Sequence, residues 1–254
     1  MRTRLGLPDT IEACLFDLDG VLTPTALVHA AAWQELFDEF LSQHRPPGGS
    51  PGAGPDPYRP FDAGDDYEHY VDGRAREDGV RGFLTSRGLV VPEQTVRELS
   101  LRKDAMFLRR LERSGVQPYP GSVQYLHAAR EAGLRRAVVS ASTHCAQILR
   151  AAGIEDLVEE RVDGVVARRE GLRGKPAPDT FLAAARRLGV PPAQAAVFED
   201  ALAGVAAGHA GGFGCVVGVD RVGDAPELQA QGADIVVKDL ADLLDTPAAT
   251  GHPA

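Results

Sequence analysis

The sequence predicts a doubly wound α/β protein whose parallel sheet is interrupted by an inserted all-α domain. Three observations lead to this prediction. Short apolar runs recur along the chain, helical patterns closed by glycine lie among them, and one long helical stretch separates the first run from the rest. Strands that alternate with helices are typical of a parallel sheet covered on both faces by helices.

Five short apolar runs are predicted to be buried strands. They are ACLF (13–16), AVVS (137–140), AAVF (195–198), CVVGV (215–219) and DIVV (234–237). The segments GSVQYLHAAREAG, PDTFLAAARRLG and DALAGVAAGHAG show helical spacing and end in glycine, which predicts helices. The resulting Rossmann-like sheet is expected to bind its ligands beyond the carboxyl ends of its strands.

The inserted domain is predicted between about Thr23 and Gln117, where the pattern is helical. Two long amphipathic stretches, TALVHAAAWQELFDEFLSQH and VPEQTVRELSLRKDAMFLRRLERSG, indicate its main helices. Between them, residues 46–57 contain five prolines and four glycines, which predicts a loop at about 45–60. The expected division is residues 1–23 and 114–254 for the α/β core and 24–113 for the helical domain.

Composition and charge limit the expected partners and location. A net charge of −9 argues against nucleic acid, because phosphate backbones are bound by clustered Lys and Arg. No apolar stretch approaches the roughly 20 residues that span a bilayer, so no membrane is expected. The first residues lack the apolar core of a secretory signal, and three widely spaced cysteines favour neither a disulfide framework nor a zinc site. A cytoplasmic monomer is expected.

Four groups of polar residues are predicted at one edge of the sheet. They are Asp17-x-Asp19 after the first strand, Ser140 at the end of the second, Lys175 before a helix, and Glu199-Asp200 after a later strand. Each group alone is also typical of an ordinary turn or helix start. Because the carboxyl ends of parallel strands meet at one edge, the four groups together predict a single site.

The motifs FDLDGVLT, SAS, GKPAPDTF and EDALAG, with GRAREDGV in the inserted domain, resemble those of the haloacid dehalogenase-like (HAD) superfamily. Within it, β-phosphoglucomutase-type proteins are the most similar, over almost the whole chain. The resemblance implies an α/β core with a helical cap, and phosphoryl transfer through an aspartyl-phosphate. It implies Asp17 as nucleophile, Asp19 as acid and base, Ser140 as a hydrogen-bond donor to the transferred group and Lys175 as its counter-charge.

The acidic residues of these motifs also predict a Mg²⁺ site. At an effective dielectric of about 20, each close pair of like charges costs roughly 4 kcal/mol. Mg²⁺ is a hard cation that accepts carboxylate and phosphate oxygens together. The resemblance implies ligation by Asp17, by the backbone carbonyl of Asp19 and by Asp200, with Glu199 adjacent or ligating.

A phosphorylated sugar is the substrate that the resemblance implies. It assigns Arg76 to the distal phosphate of the sugar, for which a bidentate guanidinium is suited. The other substrate-binding positions that it implies are Thr25, His29, Trp33, Lys103, Ala141, Ser142 and His144. For the cap residues the structural alternatives are a surface arginine in a helical ion pair, a core histidine, a packed tryptophan and a solvated lysine.

Three departures from the family pattern leave two reactions open. Thr143-His144 stands where relatives carry Lys-Asn on the distal phosphate, Pro24 replaces a usual aspartate and Gly79 replaces a serine. The expected function is Mg²⁺-dependent conversion of β-glucose 1-phosphate to glucose 6-phosphate, by β-phosphoglucomutase-type isomerase chemistry. The alternative is a sugar-phosphate phosphatase, and a more remote one is a non-catalytic binding module on the same fold.

Overall fold

The chain folds as two units in the computed structural model, which describes residues 5–46 and 56–244. The first unit contains the chain up to Thr25 and from Val116 onward, and the second is Ala26–Gly115. The Pro/Gly-rich loop predicted at about 45–60 lies mostly outside the described residues.

A six-stranded sheet, parallel throughout, forms the centre of the first unit. Its strands are β1 (Ala13–Phe16), β2 (Arg135–Val139), β3 (Glu160–Val162), β4 (Ala195–Glu199), β5 (Cys215–Val219) and β6 (Ile235–Val237). The order β3-β2-β1-β4-β5-β6 runs outward from β1 in both directions, which confirms the predicted doubly wound fold. The topological switch, where ligands bind in such sheets, lies between β1 and β4.

The second unit, called the helical unit below, contains three α-helices among its described residues, with one π-helical turn at Tyr67–Val71. They are α1 (Thr25–His44), whose first residue still belongs to the first unit, α2 (Arg76–Ser86) and α3 (Glu93–Ser114). Its core is aromatic. The ring centroid of Phe37 lies 4.1 Å from that of Phe83 and 5.2 Å from that of Phe61. The two amphipathic stretches of the sequence form α1 and α3, whereas α2 has no counterpart among the predicted elements.

In the described part of the first unit, six α-helices accompany the strands: α4 (Pro120–Glu131), α5 (Cys145–Ala151), α6 (Gly164–Glu170), α7 (Asp179–Leu188), α8 (Leu202–Ala210) and α9 (Ala225–Ala230). Phe181 and Leu188 of α7 pack with Leu15 and Val197 of the sheet in one buried cluster. In the described ranges, no helix has both the length and the apolar character that a membrane crossing requires.

The structure adds one strand to the five predicted from the sequence. β3, with the sequence ERV, is three residues long and lies at an edge of the sheet, where it pairs only with β2. Two of its three residues are charged and only Val162 is fully buried. The apolar pattern of a buried strand is therefore missing from the sequence of β3. Its backbone pairing with β2 is what places it in the sheet.

Candidate active site

Side chains from all four predicted groups meet at the carboxyl edge of β1, β2 and β4. Asp17 directly follows β1, Ser140 directly follows β2, and Glu199 is the last residue of β4. Lys175 comes from the segment between α6 and α7. The backbone N–H groups of Asp17 and Ser140 continue the sheet, since they donate to the carbonyls of Phe198 and Val162.

Lys175 connects two carboxylates below the protein surface. Its ammonium donates to Asp17 Oδ1, to Glu199 Oε1 and, at 3.3 Å, to the backbone carbonyl of Val139. Burial by itself lowers the pKa of Lys175, but the two carboxylates outweigh burial and hold the pKa above its usual value. Lys175 is therefore a protonated counter-charge at neutral pH.

The Lys175 ammonium does not fully offset the effect of burial on the Asp17 carboxyl. Burial is the largest influence on its carboxyl and raises the pKa, Lys175 opposes the rise, and Glu199 and Asp19 add to it. The net pKa of Asp17 lies above its usual value. A second positive charge close to Asp17 would favour the ionised form, because an opposite charge within about 4–6 Å stabilises a carboxylate.

Asp17, Glu199 and Asp200 form a cluster of oxygen ligands. One carboxylate oxygen from each residue lies within 4.8 Å of those of the other two. Both oxygens of Glu199 are engaged, since Oε1 accepts from Lys175 and Oε2 accepts from the backbone N–H of Ala201 at 2.8 Å. The cluster has the donor chemistry of a site for a hard divalent cation.

Asp19 is oriented by two hydroxyl groups. Thr25 Oγ1 donates to Asp19 Oδ1 at 2.5 Å, and Ser140 Oγ donates to Asp19 Oδ2 at 3.3 Å. Thr25 Oγ1 also lies 2.7 Å from Thr23 Oγ1. Thr23 Oγ1 also donates to the backbone carbonyl of Leu18 at 3.2 Å. Thr23, a residue of the FDLDGVLT motif with no role predicted from the sequence, therefore belongs to the hydrogen-bond chain that ends at Asp19.

The loop after β2 contains the predicted positions Ala141, Ser142 and His144. Ser142 N donates to Ser140 Oγ at 3.0 Å, and His144 N donates to Ser142 Oγ at 3.1 Å. The start of α6 supports this loop, since Gly164 N donates to the carbonyl of Ser142 at 3.1 Å. The loop is folded by its own side chains, and His144 lies directly before α5.

Two glycines provide the space that the acidic side chains occupy. A Cβ at Gly20, whose φ is +94°, would overlap the carboxylate of Asp200. A Cβ at Gly204 in α8 would overlap the carboxylate of Glu199. The sequence shows these glycines inside motifs, but only the folded chain shows which side chain needs each one.

Gly204→Ala is expected to lower the free energy of unfolding by about 1–3 kcal/mol, because overpacking displaces the buried Glu199 from Lys175. Helix propensity alone predicts the opposite, a gain of about 1 kcal/mol for alanine in a helix. Urea unfolding followed by circular dichroism measures the change.

Gly208→Ala in the same helix is the control, since a Cβ there would meet Val197 Cγ1 and Val216 Cγ2 at 3.2 Å, and these are side-chain methyl groups that can shift. Its free energy of unfolding should change by less than about 1 kcal/mol. A Gly204→Ala protein as stable as the wild type would show that Glu199 tolerates displacement.

Three of the predicted residues in the helical unit lie together. Lys103 of α3 is buried and its ammonium contacts His29 Nδ1 of α1. The Lys103 ammonium also lies 5.0 Å from the ring centroid of Trp33 and 5.1 Å from that of Phe107. An ammonium can only donate, so His29 Nδ1 accepts and Nε2 carries the ring hydrogen.

Arg76 and Trp33 also have structural partners within the helical unit. Arg76 is the first residue of α2 and forms an ion pair with Asp104 of α3. Trp33 is buried, and its ring stacks on Phe37 at a centroid distance of 5.1 Å. Trp33 thus packs inside the helical unit, and Lys103 is buried there as well.

Known proteins similar to this chain were found by sequence and by structure. The family model of haloacid dehalogenase-like hydrolases matches residues 11–212. A protein of Mycobacterium bovis called beta-phosphoglucomutase is 49% identical over 252 residues, which cover 94% of this chain and 94% of that protein.

Two solved structures share the fold. The crystal structure of a hydrolase from Pseudomonas syringae has a TM-score of 0.75 and 25% identity, over 92% of this chain and 96% of that chain. The crystal structure of beta-phosphoglucomutase from Clostridium difficile has a TM-score of 0.71 and 24% identity, over 92% of this chain and 93% of that chain. Together with the family match, these likenesses confirm the resemblance predicted from the five motifs.

Proposed function

Because the chain is an enzyme of the haloacid dehalogenase-like hydrolase family, we propose that it is a β-phosphoglucomutase, which converts β-glucose 1-phosphate to glucose 6-phosphate through an aspartyl-phosphate. The observation that carries the proposal is the pairing of buried Asp17 with Lys175 beside Asp19, whose carboxylate is held by Thr25 and Ser140. The mycobacterial relative of the same name supports the substrate.

The first half of the proposed reaction phosphorylates the enzyme. A carboxylate oxygen of Asp17 attacks the phosphorus of the donor, and the bond from phosphorus to the sugar oxygen breaks. Asp19, protonated at this stage, gives its proton to the departing sugar oxygen. Lys175 offsets the negative charge of the phosphoryl group from its place against Asp17.

The second half returns the phosphoryl group to a different hydroxyl of the sugar. Asp19 takes the proton of this hydroxyl, whose oxygen attacks the aspartyl-phosphate and releases the Asp17 carboxylate. The hydroxyl of Ser140 now donates to Asp19, so donation to the transferred group requires its rotation about χ1. Thr25 keeps Asp19 in place meanwhile.

We further propose that Asp17, Asp200 and the backbone carbonyl of Asp19 hold Mg²⁺. Glu199 lies adjacent and anchors Lys175, because both of its oxygens are already engaged. The donor set fits, since it is made of oxygens alone and its carboxylates outnumber the one ammonium among them. When bound, Mg²⁺ neutralises the charge shared by the carboxylates and the phosphate.

The helical unit, residues 24–113 by the sequence division, is proposed as the cap that recognises the sugar phosphate. We assign the second phosphate of the substrate to Arg76, and contacts with the sugar to Lys103 and His29. A guanidinium can bind a phosphate through two parallel hydrogen bonds, which suits a group that must be held in two orientations of the sugar. A monomer that acts in the cytoplasm is part of the same proposal.

Sugar-phosphate phosphatase activity is the second candidate. One observation favours it, the presence of Thr143-His144 in the loop after β2 where a lysine is expected for the distal phosphate. With one fewer formal positive charge, the second phosphate is bound more weakly, and water competes better for the aspartyl-phosphate.

Phosphorus NMR of β-glucose 1-phosphate separates the two functions. The protein is incubated with Mg²⁺ and a trace of β-glucose 1,6-bisphosphate, with a sample lacking Mg²⁺ as control. A resonance of glucose 6-phosphate supports the mutase, whereas inorganic phosphate alone supports the phosphatase. No product in the presence of Mg²⁺ would exclude both.

A further inference from the structure

The chain makes a tight turn immediately after Asp19. The N–H groups of Leu22 and Thr23 both donate to the carbonyl of Leu18, at 3.0 and 2.9 Å, and Gly20 N donates to the carbonyl of Thr23 at 2.7 Å. The carbonyls of Gly20, Val21 and Leu22 are not acceptors within this turn. Because buried carbonyl groups need donors, other parts of the fold must supply them.

Arg221, which follows β5 by two residues, supplies donors to two of these carbonyls. Its Nε donates to the carbonyl of Gly20 at 2.8 Å, and its Nη2 lies 3.4 Å from that of Val21. Val21 also accepts from Ser122 Oγ at 2.6 Å, and the carbonyl of Leu22 accepts from Tyr119 N at 2.9 Å. Three successive carbonyls are thus held from outside the turn.

The other side of the Arg221 guanidinium is anchored just after β6. Nη1 donates to the carbonyl of Lys238 at 2.8 Å and lies 3.4 Å from Asp239 Oδ2. The guanidinium carbon lies 3.8 Å from the ring centroid of Tyr119, which stacks against it. Asp239 is itself fixed, because its Oδ1 accepts from Ala241 N at 2.9 Å.

The backbone that carries Arg221 is also held. Asp220 N donates to the carbonyl of Val237 at 2.8 Å, and Asp220 Oδ1 accepts from the N–H groups of Gly223 and Asp224 at 2.6 and 2.9 Å. Because its backbone and its guanidinium are both fixed, Arg221 holds the turn in a defined position relative to the ends of β5 and β6.

From these contacts we infer that Arg221 is a positioning residue for Asp19. Its planar fork joins the Gly20–Val21 backbone to the segment after β6 and so fixes the turn that carries the Asp19 carboxylate. The inference rests on the proposed function, because proton transfer by Asp19 is what the turn serves. A lysine at position 221 could donate to the turn or to the segment after β6, but not to both, because an ammonium lacks the planar fork of a guanidinium.

The first test measures the turn itself, with no reference to activity. In Arg221→Ala, amide hydrogen exchange in a peptide spanning residues 18–25 should be about tenfold faster than in the wild type. The matched control is Arg136→Ala, because Arg136 donates to the carbonyls of Leu157 and Leu134 near the start of β2, at the opposite end of the strands. Exchange in residues 18–25 should be unchanged in this control.

The second test compares two phosphoryl donors in rapid-quench phosphorylation of Asp17 with Mg²⁺ present. The sugar oxygen of β-glucose 1,6-bisphosphate needs a proton from Asp19 as it leaves, whereas acetyl phosphate releases acetate, which needs none. Arg221→Ala should slow phosphorylation by the bisphosphate about tenfold, and by acetyl phosphate less than about twofold. Arg221→Lys should recover part of the loss.

Equal slowing with both donors, or unchanged exchange in residues 18–25, would overturn the assignment of Arg221. Failure of the proposed function looks different. If the wild type accepts phosphate from acetyl phosphate and not from the bisphosphate, the mutase proposal is wrong, and the exchange measurement alone then decides the role of Arg221.

Discussion

Asp17→Asn is expected to abolish turnover while the fold is retained. The amide has nearly the shape of the carboxylate, but it is neither a nucleophile nor a good ligand for Mg²⁺. The rate should fall by a factor of at least about 10³, as it does when a nucleophile is removed from other enzymes. Release of glucose 6-phosphate or phosphate from β-glucose 1-phosphate measures the loss.

Two controls accompany this variant. Asp66→Asn also removes a buried carboxylate from an ion pair, the one with Arg87 in the helical unit, and should retain turnover. Wild-type protein with Mg²⁺ and beryllium fluoride should form an adduct on Asp17, which Asp17→Asn cannot form. An adduct on another residue, or substantial activity in Asp17→Asn, would contradict the assignment of the nucleophile.

Arg76→Ala is expected to lower sugar-phosphate isomerisation by roughly 100-fold, because each charge-assisted hydrogen bond to phosphate contributes about 1.5–3 kcal/mol and about 1.36 kcal/mol is a tenfold change in rate. Hydrolysis of p-nitrophenyl phosphate should change far less, since this substrate has no second phosphate. Arg76→Lys should recover only part of the loss, because a point charge lacks the fork of the guanidinium. The two reactions are assayed side by side.

Arg81→Ala is the matched control for Arg76. Arg81 lies in the same helix, and its guanidinium pairs with Glu77, Asp78 and Glu93 at the surface. This variant should isomerise the sugar phosphate at the wild-type rate, within about twofold. If Arg76→Ala slowed both reactions equally, Arg76 would act through the folding of the helical unit. If neither reaction changed, the distal phosphate is bound elsewhere.

The parts of the fold that the sequence predicts are those with a local signal. β1 and β5 are short apolar runs, and α1 has the amphipathic spacing of a helix over its whole length, so their positions agree with the predicted segments. The meeting of Asp17, Ser140 and Glu199 was predictable as well, because parallel strands end at one edge of the sheet.

What the sequence did not predict depends on contacts between distant segments. Arg221 is one arginine among many in the chain, and nothing in its neighbourhood indicates that it reaches Gly20, 201 residues away. The role of Gly204 depends on where the Glu199 side chain turns after β4. Such roles arise from tertiary packing, which local composition and periodicity do not record.

The hydrogen bond from Tyr119 N to the Leu22 carbonyl has a consequence for how such enzymes diversify. It brings the point where the chain leaves the α/β core to within one hydrogen bond of the point where it returns. The core already holds these two points together. Lengthening or replacing the segment between them therefore raises the entropic cost of loop closure only slowly. We therefore expect the segment between residues 26 and 115 to be exchangeable as a module. A chimera with another helical insert should keep the proposed aspartate chemistry, while its choice of substrate should change.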